Sequence, residues 1–259
     1  MYLSCLLIDV GADPDRPRPG RLWLRNLYRV HQRLCMAFPS SILNNDDPLF
    51  LKPFVPDGFQ HVHGPRTYEQ AFLFRIDPQP GGSVVVLVQS ALEPNWDYAF
   101  HNADYLLAAP PQTRPYDPHF HDGQLLAFRL LANATRKKDK ENRPEGKKNY
   151  GRRVPVPRDE IEEWLTSRAE RSGGQVEGFS NVQTGYVAAV KGRDVDAETD
   201  VQGDGGKAGR LKRFFCARYE GRLRVTTPNA LRNSIIQGIG PAKAFGFGLL
   251  SVSPVRAGE

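Results

Sequence analysis

The feature that most constrains this chain is an order of hydrophobic periods that runs through it twice. "YLSCLLID" is strand-like, and "PDRPRPG" then forces a loop, because its prolines fix φ and lack backbone donors. Between Leu22 and Phe38 the apolar residues Leu24, Leu27, Val30, Leu34 and Phe38 recur at helical spacing, and Pro39 ends the run. Two strand candidates follow, "AFLFRID" and "SVVVLVQS", which "PQPGG" joins as a hairpin. A short helix is expected near "NWDYAFHNADYLL".

After the proline-rich "APPQTRPYDPHFHDG" the order repeats. It reads as strand "QLLAFRLLA", a basic loop, helix "RDEIEEWLTSRAER", strands "GYVAAVK" and "LKRFFCARYEGRLRVT", helix "PNALRNSIIQG" and strand "FGFGLLSV". The first of these helices has acidic residues in its first turn and Arg168 and Arg171 in its last, which suits the helix dipole. The second begins at Pro228, after two threonines. Two copies of strand–helix–strand–strand–helix–strand predict an α+β chain of tandem ferredoxin-like (RRM-like) βαββαβ units with antiparallel sheets. The expected division is a first domain over 1–109, a proline-rich linker over 110–122 and a second domain over 123–259. The polar "GRDVDAETDVQGDGGKAG" is expected to be a hairpin tip with no chemistry of its own.

Composition narrows the class. Hydrophobic residues make up 40% of the 259, enough for a packed core. No apolar run approaches the roughly 20 residues that cross a bilayer. The opening run lacks a basic flank and is interrupted by Asp9, so it reads as a first strand and not as a signal peptide. Cys5, Cys35 and Cys216 are odd in number and far apart, which points to a reducing cytoplasm and away from disulfides or zinc. The formal charge of +6 is concentrated: between Arg136 and Arg153 nine Lys/Arg face only Asp139, Glu141 and Glu145. A second basic cluster holds Arg16, Arg18, Arg21, Arg25, Arg29 and Arg33. Two localised clusters favour a polyanion, and nucleic acid in particular; a solubilising loop is the plain alternative.

His31 and Tyr28 lie three apart on the first helix, at the border of its apolar stripe. Helix geometry alone favours a border histidine beside a packing tyrosine over a pair that moves protons. At the other end, "GIGPAKAFGFGLLSV" places Gly238, Gly240, Gly246 and Gly248 around Lys243. Such a loop permits φ > 0 and close backbone approach; it could cradle a phosphate or simply cap a helix and lead into a strand. His61 with His63, and His119 with His121, form H-x-H pairs in proline-rich loops and are expected to be exposed; His101 has no evident partner.

Taken together, "MYLSCLLID", "YRVHQRLCMAFP", "LFRIDP…VLVQS…EPNW", "FRLLANATRK…GRRV" and "GIGPAKAFGFGLLSV" resemble the RAMP superfamily of CRISPR-associated proteins. Within it, the chain is similar to the type I-E endoribonucleases that process precursor CRISPR RNA as part of the Cascade complex. The resemblance implies a metal-independent, cofactor-free cut on the 3′ side of a repeat hairpin, by attack of the RNA's own 2′-hydroxyl. The products would be a 2′,3′-cyclic phosphate and a 5′-hydroxyl. It places His31 and Tyr28 on the family's catalytic positions. Arg129, Asn133, Arg136, Lys137, Lys138, Arg152 and Arg153 fall on its hairpin-gripping segment, and the terminal glycine loop with Lys243 joins the RNA-binding set. It further implies repeat-hairpin RNA and other Cascade subunits as partners, product retention, and a monomer when free. Leu27 stands where the family commonly has proline before the tyrosine, so the helix is expected to begin earlier. A non-catalytic RNA-binding subunit of an effector complex is the alternative. An RRM-type single-strand binder fits less well, since the strands lack the expected stacking aromatics.

Overall fold

A computed structural model describes residues 1–38 apart from positions 14 and 17, 72–137 apart from position 81, 153–191 and 210–255. The chain divides into two units. The first comprises Met1–Asp117, Val187–Phe214 and Ala244–Gly246; the second comprises Pro118–Tyr186, Phe215–Lys243 and Phe247–Glu259.

The first unit contains β1 (Tyr2–Ile8), α1 (Pro19–Leu24), α2 (Leu27–Met36), β2 (Phe72–Pro78), β3 (Val84–Ser90), α3 (Trp96–Phe100) and β4 (Gln112–Pro115). Its sheet runs β2-β3-β1-β4, and each neighbouring pair is antiparallel. Alternation decides the faces. Along β1, Ser4, Leu6 and Ile8 are buried while Cys5 and Leu7 are partly exposed, as a half-buried strand requires. Leu6 and Ile8 join Phe74, Val86 and Val88 under Val30 and Leu34 of α2 and Trp96, Ala99 and Phe100 of α3. Each large apolar side chain fully buried in this way contributes roughly 1.5–3 kcal/mol.

Two sequence expectations are corrected here. The run from Leu22 to Phe38 is two helices, because the Asn26 side chain accepts from Tyr28 N at 3.1 Å and starts a new helix at Leu27. The helix therefore does not run unbroken through Leu27 from further upstream. The fourth strand, β4, comes from within the proline-rich 110–122 stretch expected to be a linker. It is an edge strand with Pro115 at its last residue, a position where a missing donor is tolerated. Thr113 pins it down: its Oγ1 lies 2.9 Å from Ser4 Oγ and accepts from Trp96 Nε1 at 3.0 Å.

The second unit contains β5 (Leu125–Ala132), β6 (Thr135–Lys137), β7 (Arg153–Pro155), α4 (Ile161–Arg171), β8 (Gly174–Lys191), β9 (Arg210–Val225), α5 (Pro228–Gln237) and β10 (Leu250–Pro254), with the outer ends of β8 and β9 assigned to the first unit. Its sheet runs β10-β5-β9-β8. In each sheet the first and third strands of the βαββαβ order are central, and the fold is a tandem of ferredoxin-like units. The strand expected at "GYVAAVK" begins earlier, at Gly174, where β8 is the edge strand bonded to the long β9. The terminal strand begins later than "FGFG", at Leu250. Leu126, Phe128 and Leu130 form one buried face of β5, and Ile161, Leu165, Leu231 and Ile235 are buried residues of α4 and α5. Tyr219 is fully buried, donates to Ile161 O at 3.0 Å, and has its phenol pushed up by burial. The expected hairpin tip after Arg193 lies outside the described residues.

Candidate catalytic helix and basic surface

Helix α2 is built to hold one face down and leave another half-open. Leu27, Val30, Leu34, Cys35 and Met36 are buried, whereas Tyr28 and His31 are only partly so. Asn26 fixes the first turn, on which Tyr28 sits. Arg33 ties the helix to α3 and the turn after it, donating to Ala99 O at 3.0 Å and to Asn102 Oδ1 at 3.2 Å; burial pulls its guanidinium below the ordinary arginine value. His31 is held by two side chains. Its Nε2 lies 3.4 Å from Cys35 Sγ, and its ring stacks on Phe72 with centroids 5.5 Å apart and planes 25° from parallel. Phe72 in turn stacks on Phe38 at 5.1 Å. Sequence reasoning paired His31 with Tyr28; it missed Cys35 at i+4 and had no signal for Phe72, which arrives from another element.

The basic segment divides on inspection. Asn133 is buried, and its amide donates to Phe215 O at 2.6 Å. Arg129 pairs with Glu220 at 2.8 Å, and Arg136 pairs with Glu160 at 2.6 Å. Lys137 and Arg153 are exposed on the β6–β7 pair, where Arg153 Nη1 donates to Thr135 Oγ1 at 3.5 Å. Lys138 and Arg152 lie outside the described residues. Arg168 lies near Arg153, and Arg171 follows one turn along the same helix; the helix dipole is the role the sequence suggests for both. Arg168 lies over the Trp164 ring at 3.8 Å, while Trp164 Nε1 donates to Thr135 O at 3.2 Å. Burial, then the charges of Arg171 and Arg153, pull Arg168 below the ordinary arginine value. No carboxylate pairs with Arg153, Arg168 or Arg171 among the described residues. Such like-charge crowding is relieved by an anion.

All four loop glycines have positive φ, a conformation glycine permits. Packing accounts for two of them closely. A Cβ on Gly248 would stand 2.8 Å from Ile239 O, and one on Gly246 would meet the Phe74 ring at 3.0 Å. Gly238 ends α5, and Gly240 rests against Trp164. Lys243 is half-buried, and burial lowers its ammonium from the ordinary lysine value. Among the described residues no group of three His, Cys, Asp or Glu side chains is placed to hold a metal ion, and no helix is long and apolar enough to cross a membrane. His61 and His63 lie outside those residues; His119 and His121 are both exposed, as expected.

Comparison with known proteins agrees with this architecture along nearly the whole chain. The chain is 31% identical over 257 residues to CRISPR-associated endoribonuclease Cse3 of Thermus thermophilus, covering 98% of this chain and 100% of the relative. It is 29% identical over 260 residues to the CRISPR system Cascade subunit CasE of Escherichia coli (strain K12), with the same coverage. Among solved structures, CRISPR endoribonuclease Cse3 bound to a 19-nt RNA matches with a TM-score of 0.66 and 26% identity, over 98% of this chain and 100% of that one. Residues 1–254 match the family described as CRISPR associated protein, and the chain belongs to that family.

Proposed function

We propose that this protein is the endoribonuclease that processes precursor CRISPR RNA, cutting on the 3′ side of each repeat hairpin and keeping the product within a Cascade complex. The observation that carries this reading is the half-open face of α2. A histidine and a tyrosine stand one turn apart at the border of a helix whose other face is buried, in a chain with a full-length relative named as an endoribonuclease. His31 is the proton-transfer group, because imidazole is the side chain whose ordinary pKa lies near neutrality. It takes the proton from the 2′-hydroxyl or returns one to the departing 5′-oxygen. Tyr28 hydrogen-bonds the reacting phosphate or the nucleophile. Attack of the 2′-oxygen on phosphorus forms the 2′,3′-cyclic phosphate, and the breaking P–O bond leaves a 5′-hydroxyl. The nucleophile belongs to the substrate and His31 handles the proton, so in this reading the step runs without a metal or cofactor.

The hairpin stem is held by phosphate contacts from Lys137, Arg153, Arg168 and Arg171, with Lys138 and Arg152 continuing the same segment. Arg129 and Arg136 take part where RNA displaces their carboxylate partners. Asn133 supports the neighbouring backbone from inside, and the glycine loop with Lys243 is a further point of RNA approach. The protein acts in the cytoplasm and is monomeric before assembly, with its domain boundary in the proline-rich region.

Cleavage of a labelled repeat hairpin in excess EDTA, by the wild type and by His31→Ala, tests the reading. A cyclic-phosphate product from the wild type alone, with hairpin binding kept by both, supports it; equal cleavage by both rejects the role of His31. A second reading, a non-catalytic RNA-binding subunit, is favoured by one observation: a ring stacked on Phe72 and bonded to Cys35 is also how a packing histidine would sit. Binding without cleavage by either protein would establish it.

A further inference from the structure

We propose that Cys35 is a positioning residue for His31, a role that rests on the catalytic reading above. The thiol stands one helical turn beyond the histidine, fully buried, with Sγ 3.4 Å from Nε2. Phe72 covers the ring with its planes 25° from parallel. A neutral imidazole has one N–H and one lone pair, and a thiol can meet either; in this proposal the buried S–H holds one orientation at Nε2 and so fixes which nitrogen carries the proton. The stacked Phe72 limits rotation about the ring's bond to Cβ, and the thiol limits what remains. Together they hold one rotamer and one tautomer of His31 in the free protein, so the reaction starts from a single arrangement of the ring. An alanine at 35 would keep the helix and the RNA-binding surface but let the imidazole sample both tautomers. A serine would keep a donor and acceptor there, with a slightly shorter reach.

The test compares wild type, Cys35→Ala, Cys35→Ser and His31→Ala in single-turnover cleavage of a labelled repeat-hairpin RNA and in binding of the same RNA. Nitrogen-15 spectra of the histidine side chains are recorded for the first three. Loss of one orienting hydrogen bond is expected to slow Cys35→Ala about tenfold, with Kd changed by less than about twofold and most of the rate restored in Cys35→Ser. His31 should show one dominant neutral tautomer in the wild type and a mixture in Cys35→Ala. Wild-type cleavage by Cys35→Ala overturns the proposal, as does equal slowing of both Cys35 variants with unchanged His31 nitrogen shifts. Wild-type cleavage by His31→Ala overturns the catalytic reading instead, a separate result. Where Cys35→Ala does not fold, Cys35→Ser and the wild-type spectrum decide: a mixed tautomer population in the wild type overturns the proposal.

Discussion

The two units share a strand order and differ in what their first long helix carries. In the first unit α2 buries an apolar face and leaves Tyr28 and His31 half-open. In the second unit α4 buries Ile161, Trp164, Leu165 and Ala169, and its border carries Arg171 and, near Arg153, Arg168. One helix offers a titratable group and the other offers permanent charge. On the proposed reading the same topology would support chemistry in one copy and anion binding in the other, because function lives in side chains at the helix border and not in the strand order.

Breaking the comparison at its strongest point means His31→Ala. Cleavage should fall by at least about 100-fold with hairpin affinity nearly unchanged, measured by single-turnover assay and filter binding. Next in size is the buried face that holds the pair in place. Leu34→Ala, at a fully buried position, should cost about 2–5 kcal/mol in urea denaturation, and Leu165→Ala should cost a similar amount in the other unit. Equal losses would show that the two helices differ at their borders and not in their packing.

The charged border is tested by salt. Arg168→Ala and Arg171→Ala should each weaken RNA binding and lower the slope of log K against log salt by about 1. Arg136→Ala should change it less, since Arg136 is already paired with Glu160. The smallest effect is expected at the cap. Asn26→Ala should destabilise the protein by about 1 kcal/mol in the same denaturation experiment, and fray the turn that holds Tyr28. Unaltered amide exchange at Tyr28 in that variant would show that the cap does not organise the site.

Much of this architecture was legible because strand and helix periods are local. "AFLFRID" and "SVVVLVQS" pair residue for residue from Phe72↔Ser90 to Pro78↔Val84. The break at Asn26 was hidden because Leu24 and Leu27 keep the helical spacing across it, while capping is a property of one side chain. The strand β4 was hidden by its prolines, which an edge position tolerates. Arg75 and Asp77 are charged residues within β2. Both are buried, and Arg75 Nε donates to both carboxylate oxygens of Asp77 at 2.9 Å. Burying such a pair requires this mutual bonding, which alternation along a strand cannot reveal.

The sequence by itself determined the two βαββαβ orders, the face of α2 that is buried, the concentration of positive charge and the freedom of the terminal glycines to take positive φ. These follow from spacing, composition and backbone sterics, which act within a few residues. Only the tertiary structure decided which charges are already neutralised by Glu160 and Glu220, that Asn133 faces inward, and that Arg168 lies on Trp164 beside Arg153. It also brought Phe72 onto a histidine 41 positions earlier in the chain. Contacts between elements depend on how sheets and helices pack, and that geometry is set by the whole core at once.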